Sequence, residues 1–256
     1  MSQNDHFLHP AKTWPLDVWV IGCGGNGSQI LTGLASLEIA LNELGGRSMR
    51  VLTFDDDIVT EANLGRQPFF PCDVGRHKAI VLTERINMAY GLQWMATPER
   101  LTPDLQASAN TNHYHPDLII SCVDTAASRR DINAFLQNNN PRHTYWLDLG
   151  NRATDGQIVL GEAHNETDLL QPRLKTVLET FPEIASEKYV EEDRPSCSLA
   201  EALEKQSLFI NRVMASHALA MLFDLLGRGS ISYSGLFVNI KTGLTMPMEL
   251  PQTPPN

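Results

Sequence analysis

The feature that most constrains this chain is a short apolar run that ends in glycines: Asp17-Val-Trp-Val-Ile21, then Gly22-Cys-Gly24-Gly25-Asn-Gly27-Ser28. The run reads as a buried strand, and residues 27–44 carry the apolar spacing of a helix. Glycines between a strand and a helix let the chain turn tightly and let a phosphate come close to the backbone. The helix N-terminus then adds free N–H donors and a partial positive charge. Gly22, Gly24, Gly25 and Gly27 are therefore candidate phosphate-binding residues, and a tight turn without a ligand is the alternative.

Strands and helices go on alternating. Residues 49–54, 93–96, 117–123, 144–148 and 156–160 read as strands, and 75–89 and 126–137 as helices. This order predicts an α/β fold with a doubly wound, Rossmann-like, mainly parallel sheet, which binds ligands beyond the C-terminal strand ends. Residues 162–195 are polar, acidic and broken by Pro172, Pro182 and Pro195, as in a crossover loop. A long C-terminal helix is expected over 199–226, and a terminal β-hairpin over 236–250 with Gly243 in its turn. With 256 residues the chain can bury a core without disulfides or metals. We expect one domain over 1–256: a nucleotide-binding core at 12–150, a sheet extension and crossover loop at 155–198, and the helix and hairpin at 199–250.

Composition narrows the partners. Twenty Lys+Arg against thirty Asp+Glu leave a formal charge of −10, a poor basis for nucleic-acid binding, where cations supply most of the affinity. The longest nearly apolar stretch, 215–226, is interrupted by His217 and Asp224 and is too short to span a membrane. Residues 1–10 carry no secretory signal, so the expected compartment is the cytoplasm. The four cysteines form no C-x-x-C pair, so no zinc is expected. His113 and His115 lack a third ligand nearby and read as loop residues.

Three further patterns follow the glycine loop. Phe54-Asp55-Asp56-Asp57 ends the second strand, where a carboxylate such as Asp55 can accept hydrogen bonds from ribose hydroxyls; Asp56 reads as a solvated turn. Then come Asn63-Leu-Gly-Arg66-Gln67 and Asp73-Val-Gly75-Arg-His-Lys78-Ala79, and Asp124 closes a later strand. In this order the patterns resemble the ThiF/MoeB/HesA family of ubiquitin-activating-type adenylyltransferases. The match is carried by residues 17–130, about half the chain.

The resemblance implies MgATP-dependent adenylation of the C-terminal carboxylate of a small ubiquitin-like or sulfur-carrier protein ending in glycine. It also implies a homodimer. Asp55, Asp57, Asn63, Arg66, Gln67 and Lys78 would join the glycines in binding ATP. Arg66 and Lys78 would neutralise the triphosphate, and Asp124 would hold Mg²⁺. A carboxylate is already ionised near neutral pH, so no general base is required.

Cys197, in Arg194-Pro-Ser-Cys197-Ser before the expected helix, stands where some relatives carry a reactive cysteine that forms a thioester or persulfide. Catalysis there and ordinary packing both remain open. Many relatives also supply an arginine from before the first strand. Here the first arginine is Arg47, so that role is absent, filled by Lys12, or filled from elsewhere. The Pro-Ser-Cys-Ser and Gly-Leu-Phe-Val-Asn-Ile stretches resemble the ThiF-family proteins of PRTRC systems. Two other classes stay open: an NAD-dependent dehydrogenase, and a nucleotide-binding scaffold without turnover.

Overall fold

Eight strands form one sheet in the computed structural model of the chain, which describes residues 5–9, 12–105, 115–139, 143–163, 171–186, 188–189 and 207–251. In chain order the strands are β1 (His6–Phe7), β2 (Leu16–Ile21), β3 (Met49–Phe54), β4 (Met95–Thr97), β5 (Leu118–Ser121), β6 (Thr144–Asn151), β7 (Asp155–Ala163), β8 (Ser230–Ile231), β9 (Gly235–Asn239) and β10 (Leu244–Met248). The large sheet runs β10-β9-β7-β6-β5-β2-β3-β4, and β1 pairs with β8 apart from it. Strands β4, β3, β2, β5 and β6 are parallel, while β7, β9 and β10 add on antiparallel.

The helices are α1 (Gly25–Gly45), α2 (Lys78–Tyr90), α3 (Ala126–Asn138), the short α4 (Val177–Thr180) and α5 (Pro182–Ala185), and α6 (Ile210–Leu222). The central strands are buried on both faces, so side chains of alternate parity enter different layers. On β2, Leu16, Val18 and Val20 pack with α1 and α6, whereas Trp19 and Ile21 pack with Ile132 and Phe135 of α3. The same split places Tyr145, Leu147 and Leu149 of β6 on one side and Trp146 on the other. This is the three-layer, doubly wound, mainly parallel architecture expected. The chain leaves β2 in one direction, for β3, and β5 lies on its other side, which opens a crevice at the C-terminal ends of β2 and β5.

Some boundaries differ from expectation. Helix α2 begins at Lys78 rather than at 75, because the backbone before it is bonded elsewhere. Gly75 N–H donates to Val59 O (2.9 Å), Val59 N–H donates to Arg76 O (2.9 Å), and Gly75 takes φ +87°. The expected helix over 199–226 lies outside the described residues up to 206. Beyond them, Ser207 N–H is tied to Ala153 O (2.8 Å), helix proper starts at Ile210, and a π-helical turn, Phe223–Arg228, ends it. The hairpin is as expected, with Gly243 at φ +73°, and its first strand joins the main sheet through β7. Among the described residues no helix is long and apolar enough to cross a membrane.

At the N-terminal ends of the parallel strands lies a buried polar cluster that the sequence reading did not anticipate. Lys12 Nζ donates to Asp117 Oδ1 (2.8 Å) with its side chain only 3% exposed, and His9 N–H donates to Tyr145 Oη (3.0 Å). The His9 and His143 rings stack at 3.6 Å, and His6 Nε2 lies 3.5 Å from Glu162 Oε1. Burial lowers the Lys12 ammonium below its ordinary value, against the pull of Asp117. Lys12 is thus sealed at the end of the sheet opposite the glycine loop of its own chain, and its charge is engaged by Asp117. Its role is to tie the N-terminal segment to β5.

Replacing Lys12 by Met strands the Asp117 carboxylate. Removing one partner of a buried pair costs about 3–5 kcal/mol, and the partial exposure of Asp117 argues for the lower end. Calorimetry of Lys12→Met should show a melting point lower by roughly 6–12 °C. A shift of less than about 2 °C would mean that this pair does not anchor the segment.

Candidate active site

The glycine loop is shaped by contacts that leave no room for side chains. Gly22 N–H donates to Phe54 O (2.9 Å), holding the loop against the end of β3. A Cβ on Gly27 would lie 1.8 Å from Gly22 O, and one on Gly22, at φ +91°, would lie 2.9 Å from Cys122 O. Helix α1 thus starts directly against the ends of β2 and β5. A Cβ on Gly25 would strike the Asn211 amide at 2.3 Å, whereas one on Gly24 would meet nothing within 4 Å. Among the described residues no side chain caps the first turn of α1, so its amides keep the partial positive charge that attracts anions.

Asp55 fastens the loop from the β3 side. One carboxylate oxygen accepts the Cys23 amide (2.5 Å) and the other the Asp57 amide (2.8 Å), and each keeps a further lone pair. Burial pushes the Asp55 carboxyl up, and these amides and Lys78 oppose the shift. Lys78, at the start of α2, places its buried ammonium 2.7 Å from the exposed carboxylate of Asp57.

Asn63 Oδ1 accepts the Thr60 amide (2.8 Å) and closes the turn Glu61–Asn63; its Nδ2 has no partner among the described residues. Gln67 is buried, and among the described residues no hydrogen bond reaches its Oε1. Burial lowers the half-buried Arg66 guanidinium, which starts so high that its charge persists. Asp124, two residues beyond Cys122 and next to α3, is exposed and makes no ion pair among the described residues.

The loop glycines, Asp55, Asp57 and Lys78 are thus brought together by direct contacts, and Asp124 follows the strand adjacent to β2 on its other side. Cys197, Arg194 and His113 lie outside the described residues, and His115 is an exposed loop residue. Cys23 and Cys122 are buried, with their thiols pushed up by burial, which suits packing residues; Cys72 is exposed.

Sequence reading missed several polar side chains around this crevice. Asn26, in the first turn of α1, donates to Asn151 Oδ1 at the end of β6 (2.7 Å). Arg129 of α3 and Asp148 of β6 form a buried pair at 3.0 Å. The signal for Arg129 was its helical phase, since it falls on the face of Ala126, Ile132 and Phe135, which are all buried. Its neighbour Arg130 instead reaches the carbonyls of Ile184 and Ser186.

Three carboxylates, Asp55, Asp57 and Asp124, outnumber Arg66 and Lys78. A polyphosphate would therefore be better held as its complex with a divalent cation. Asp124 fits as the cation's ligand, being an open, hard oxygen donor that no arginine or lysine among the described residues neutralises.

The family model of the ThiF family matches residues 13–254. No curated protein matches the chain in sequence. Among solved structures, PaaA in selenomethionine form superposes with a TM-score of 0.62 at 14% identity, covering 92% of this chain and 64% of its own. Escherichia coli MccB with ATP gives 0.58 at 15% identity, covering 94% of this chain and 64% of its own. The same protein with MccA in selenomethionine form gives 0.58 at 15%, covering 94% and 66%. The chain therefore spans about two thirds of the length of these structures, and the likeness is one of fold.

Two glycine substitutions separate the shape of the loop from its openness. Gly27→Ala drives a methyl into the Gly22 carbonyl and should destabilise the fold by about 1–3 kcal/mol or more. Gly24→Ala meets open space and should stay within about 0.5 kcal/mol of the parent in the same denaturant titration. Equal stabilities for the two would contradict this account of the loop.

Proposed function

This chain belongs to the ThiF family, and on that premise we propose that it is an adenylyltransferase acting on the C-terminal carboxylate of a small protein or peptide with MgATP. One observation carries the reading. The uncapped N-terminus of α1 opens beside the Asp55–Asp57–Lys78 cluster on one flank and the unpaired Asp124 on the other. The MccB structures add support, since the fold there was solved with ATP and with MccA, a polypeptide because it carries selenomethionine.

The step balances without a base. A carboxylate oxygen of the substrate attacks the α-phosphorus, the α–β anhydride bond breaks, pyrophosphate leaves with the electron pair, and no proton moves. The work of the protein is positioning and charge neutralisation. The glycine loop and the first-turn amides of α1 cradle phosphate oxygens, and Asp55 retains lone pairs for ribose hydroxyls. Arg66 clamps phosphate oxygens with its planar fork. Lys78 exchanges the exposed Asp57 for a more highly charged phosphate. Asn63 offers its free Nδ2. A divalent cation on Asp124 would neutralise charge across the phosphates. Gln67, buried beside Arg66 with its Oε1 unmatched among the described residues, stays in the binding set.

The finer reading is that the whole chain acts as one adenylation unit, as a homodimer in the cytoplasm. It takes a ubiquitin-like or sulfur carrier ending in glycine and passes it to Cys197 as a thioester. Its support is the order of motifs and the setting of Cys197 in sequence. The PRTRC subtype rests on two short stretches, Pro-Ser-Cys-Ser and Gly-Leu-Phe-Val-Asn-Ile.

A thermal-shift experiment with MgATP and with NAD tests the core of this. A ligand at 100 times its dissociation constant stabilises by about 2.7 kcal/mol. The parent should therefore shift with MgATP and not with NAD, and Asp124→Ala should lose the shift. Asp124→Ala should also lower ATP–pyrophosphate exchange by on the order of 10²-fold or more. A shift with NAD alone would overturn adenylation in favour of a dehydrogenase. Cys197→Ala should keep exchange and lose a thiol-labile conjugate. A folded variant that keeps the conjugate would exclude Cys197 as the acceptor.

A further inference from the structure

Asp124 is an exposed residue of the short connection between β5 and α3, and among the described residues no hydrogen bond or ion pair holds its carboxylate in place. Its neighbours are held. Arg129 Nη2 donates to Val123 O (2.9 Å) and Nη1 to Thr125 O (3.4 Å), so one guanidinium grips the carbonyls on either side of Asp124. The same Nη2 reaches Leu149 O of β6 (3.4 Å), and Nε bonds both oxygens of Asp148 (3.0 and 3.1 Å). Asp148 in turn accepts the Ser121 hydroxyl (2.5 Å), which accepts Trp146 Nε1–H (2.7 Å). The side chains of Arg129 and Asp148 are 7% and 0% exposed, and Ser121 and Trp146 are buried.

Stability alone does not explain such a pair. Desolvating two charges offsets most of their attraction, and apolar residues of like volume commonly serve a core as well or better. What apolar residues cannot do is present several N–H donors in fixed directions to a turn whose own side-chain bond, Thr125 Oγ1 accepting Ser128 N–H (3.1 Å), secures only its α3 side. The geometry points to Arg129, oriented by Asp148, as the positioning residue that fixes the Asp124 carboxylate for the divalent cation. This rests on the reading of Asp124 as the cation's ligand. Strand β6 is the common reference, because Leu149 O meets Arg129 and Asn151 Oδ1 meets Asn26 in the first turn of α1. The metal-bearing turn and the phosphate-bearing loop are thereby set against the same three residues.

The test uses Arg129→Lys, which keeps a cation opposite Asp148 but loses the fork. Two measurements are compared with the parent: the Mg²⁺ concentration giving half of the maximal MgATP thermal shift, and hydrogen exchange at the amides of residues 122–126 in the ligand-free protein. Residues that orient a metal's ligands typically change metal affinity by 10–100-fold, so the half-saturating Mg²⁺ should rise about tenfold or more. Exchange at 122–126 should quicken while the amides of α1 keep their protection. Binding of ATP in EDTA should stay at the parent level.

A folded Arg129→Lys with the parent's Mg²⁺ dependence and the parent's exchange overturns the inference. If Arg129→Lys does not fold, Asp148→Asn, nearly isosteric, takes its place with the same two readouts and the same criteria. Asp124→Ala separates the two levels. If it leaves the Mg²⁺ response untouched, the ligand assignment fails. If it removes that response while Arg129→Lys does not change it, only the positioning role fails.

Discussion

The crevice at the C-terminal strand ends depends on one close approach, the contact of Gly27 with the Gly22 carbonyl where α1 leaves β2. Without side chains at these positions the helix axis comes down onto the strand end, and its first amides open over the crevice between β2 and β5. The Phe54 carbonyl and the Asp55 carboxylate then fix the loop from one side, and the backbone of Cys122 bounds it on the other. A residue with a Cβ at Gly27 would push the helix out and separate the loop from the carboxylates and Lys78 beside it.

The polar interior divides between the two ends of the sheet. At the N-terminal ends, Lys12 with Asp117 and His9 with Tyr145 anchor the segment that precedes β2. At the C-terminal ends, Arg129 with Asp148 and Asn26 with Asn151 brace the connections around the crevice. Between the two lies an apolar core in which side chains of alternate parity serve different helix layers. Each end can thus be perturbed with little direct effect on the other, since distant sites without shared partners act nearly independently.

Much of the architecture was legible in the sequence because its signals were local. Strand β3 was located to the residue, and α1, α3, β2 and the β9–β10 hairpin to within a few residues. Alternating apolar runs, glycines and turn residues are read from neighbours in the chain. The start of α2 was misplaced because Gly75 and Arg76 are held by Val59, a contact that no helical pattern reports. Nothing in the local sequence marks Lys12 as buried, yet it lies against Asp117, more than a hundred residues away in sequence. For the site, the glycines, Asp55, Asp57 and Lys78 were legible through their order, and the contacts among them agree with that grouping. Asp148 and Asn151 were not, because they become neighbours of Arg129 and Asn26 only once β6 is paired.

Strand β6 is parallel to β5 on one side and antiparallel to β7 on the other, and it carries one carboxylate among apolar side chains of both parities. A slip of one residue in its pairing would turn Asp148 toward the layer of α1 and α6, bring Leu147 or Leu149 opposite Arg129, and leave two buried charges unmatched. The Arg129–Asp148 pair is therefore matched only in the native register, and a sheet misaligned by one residue leaves both charges buried without a partner.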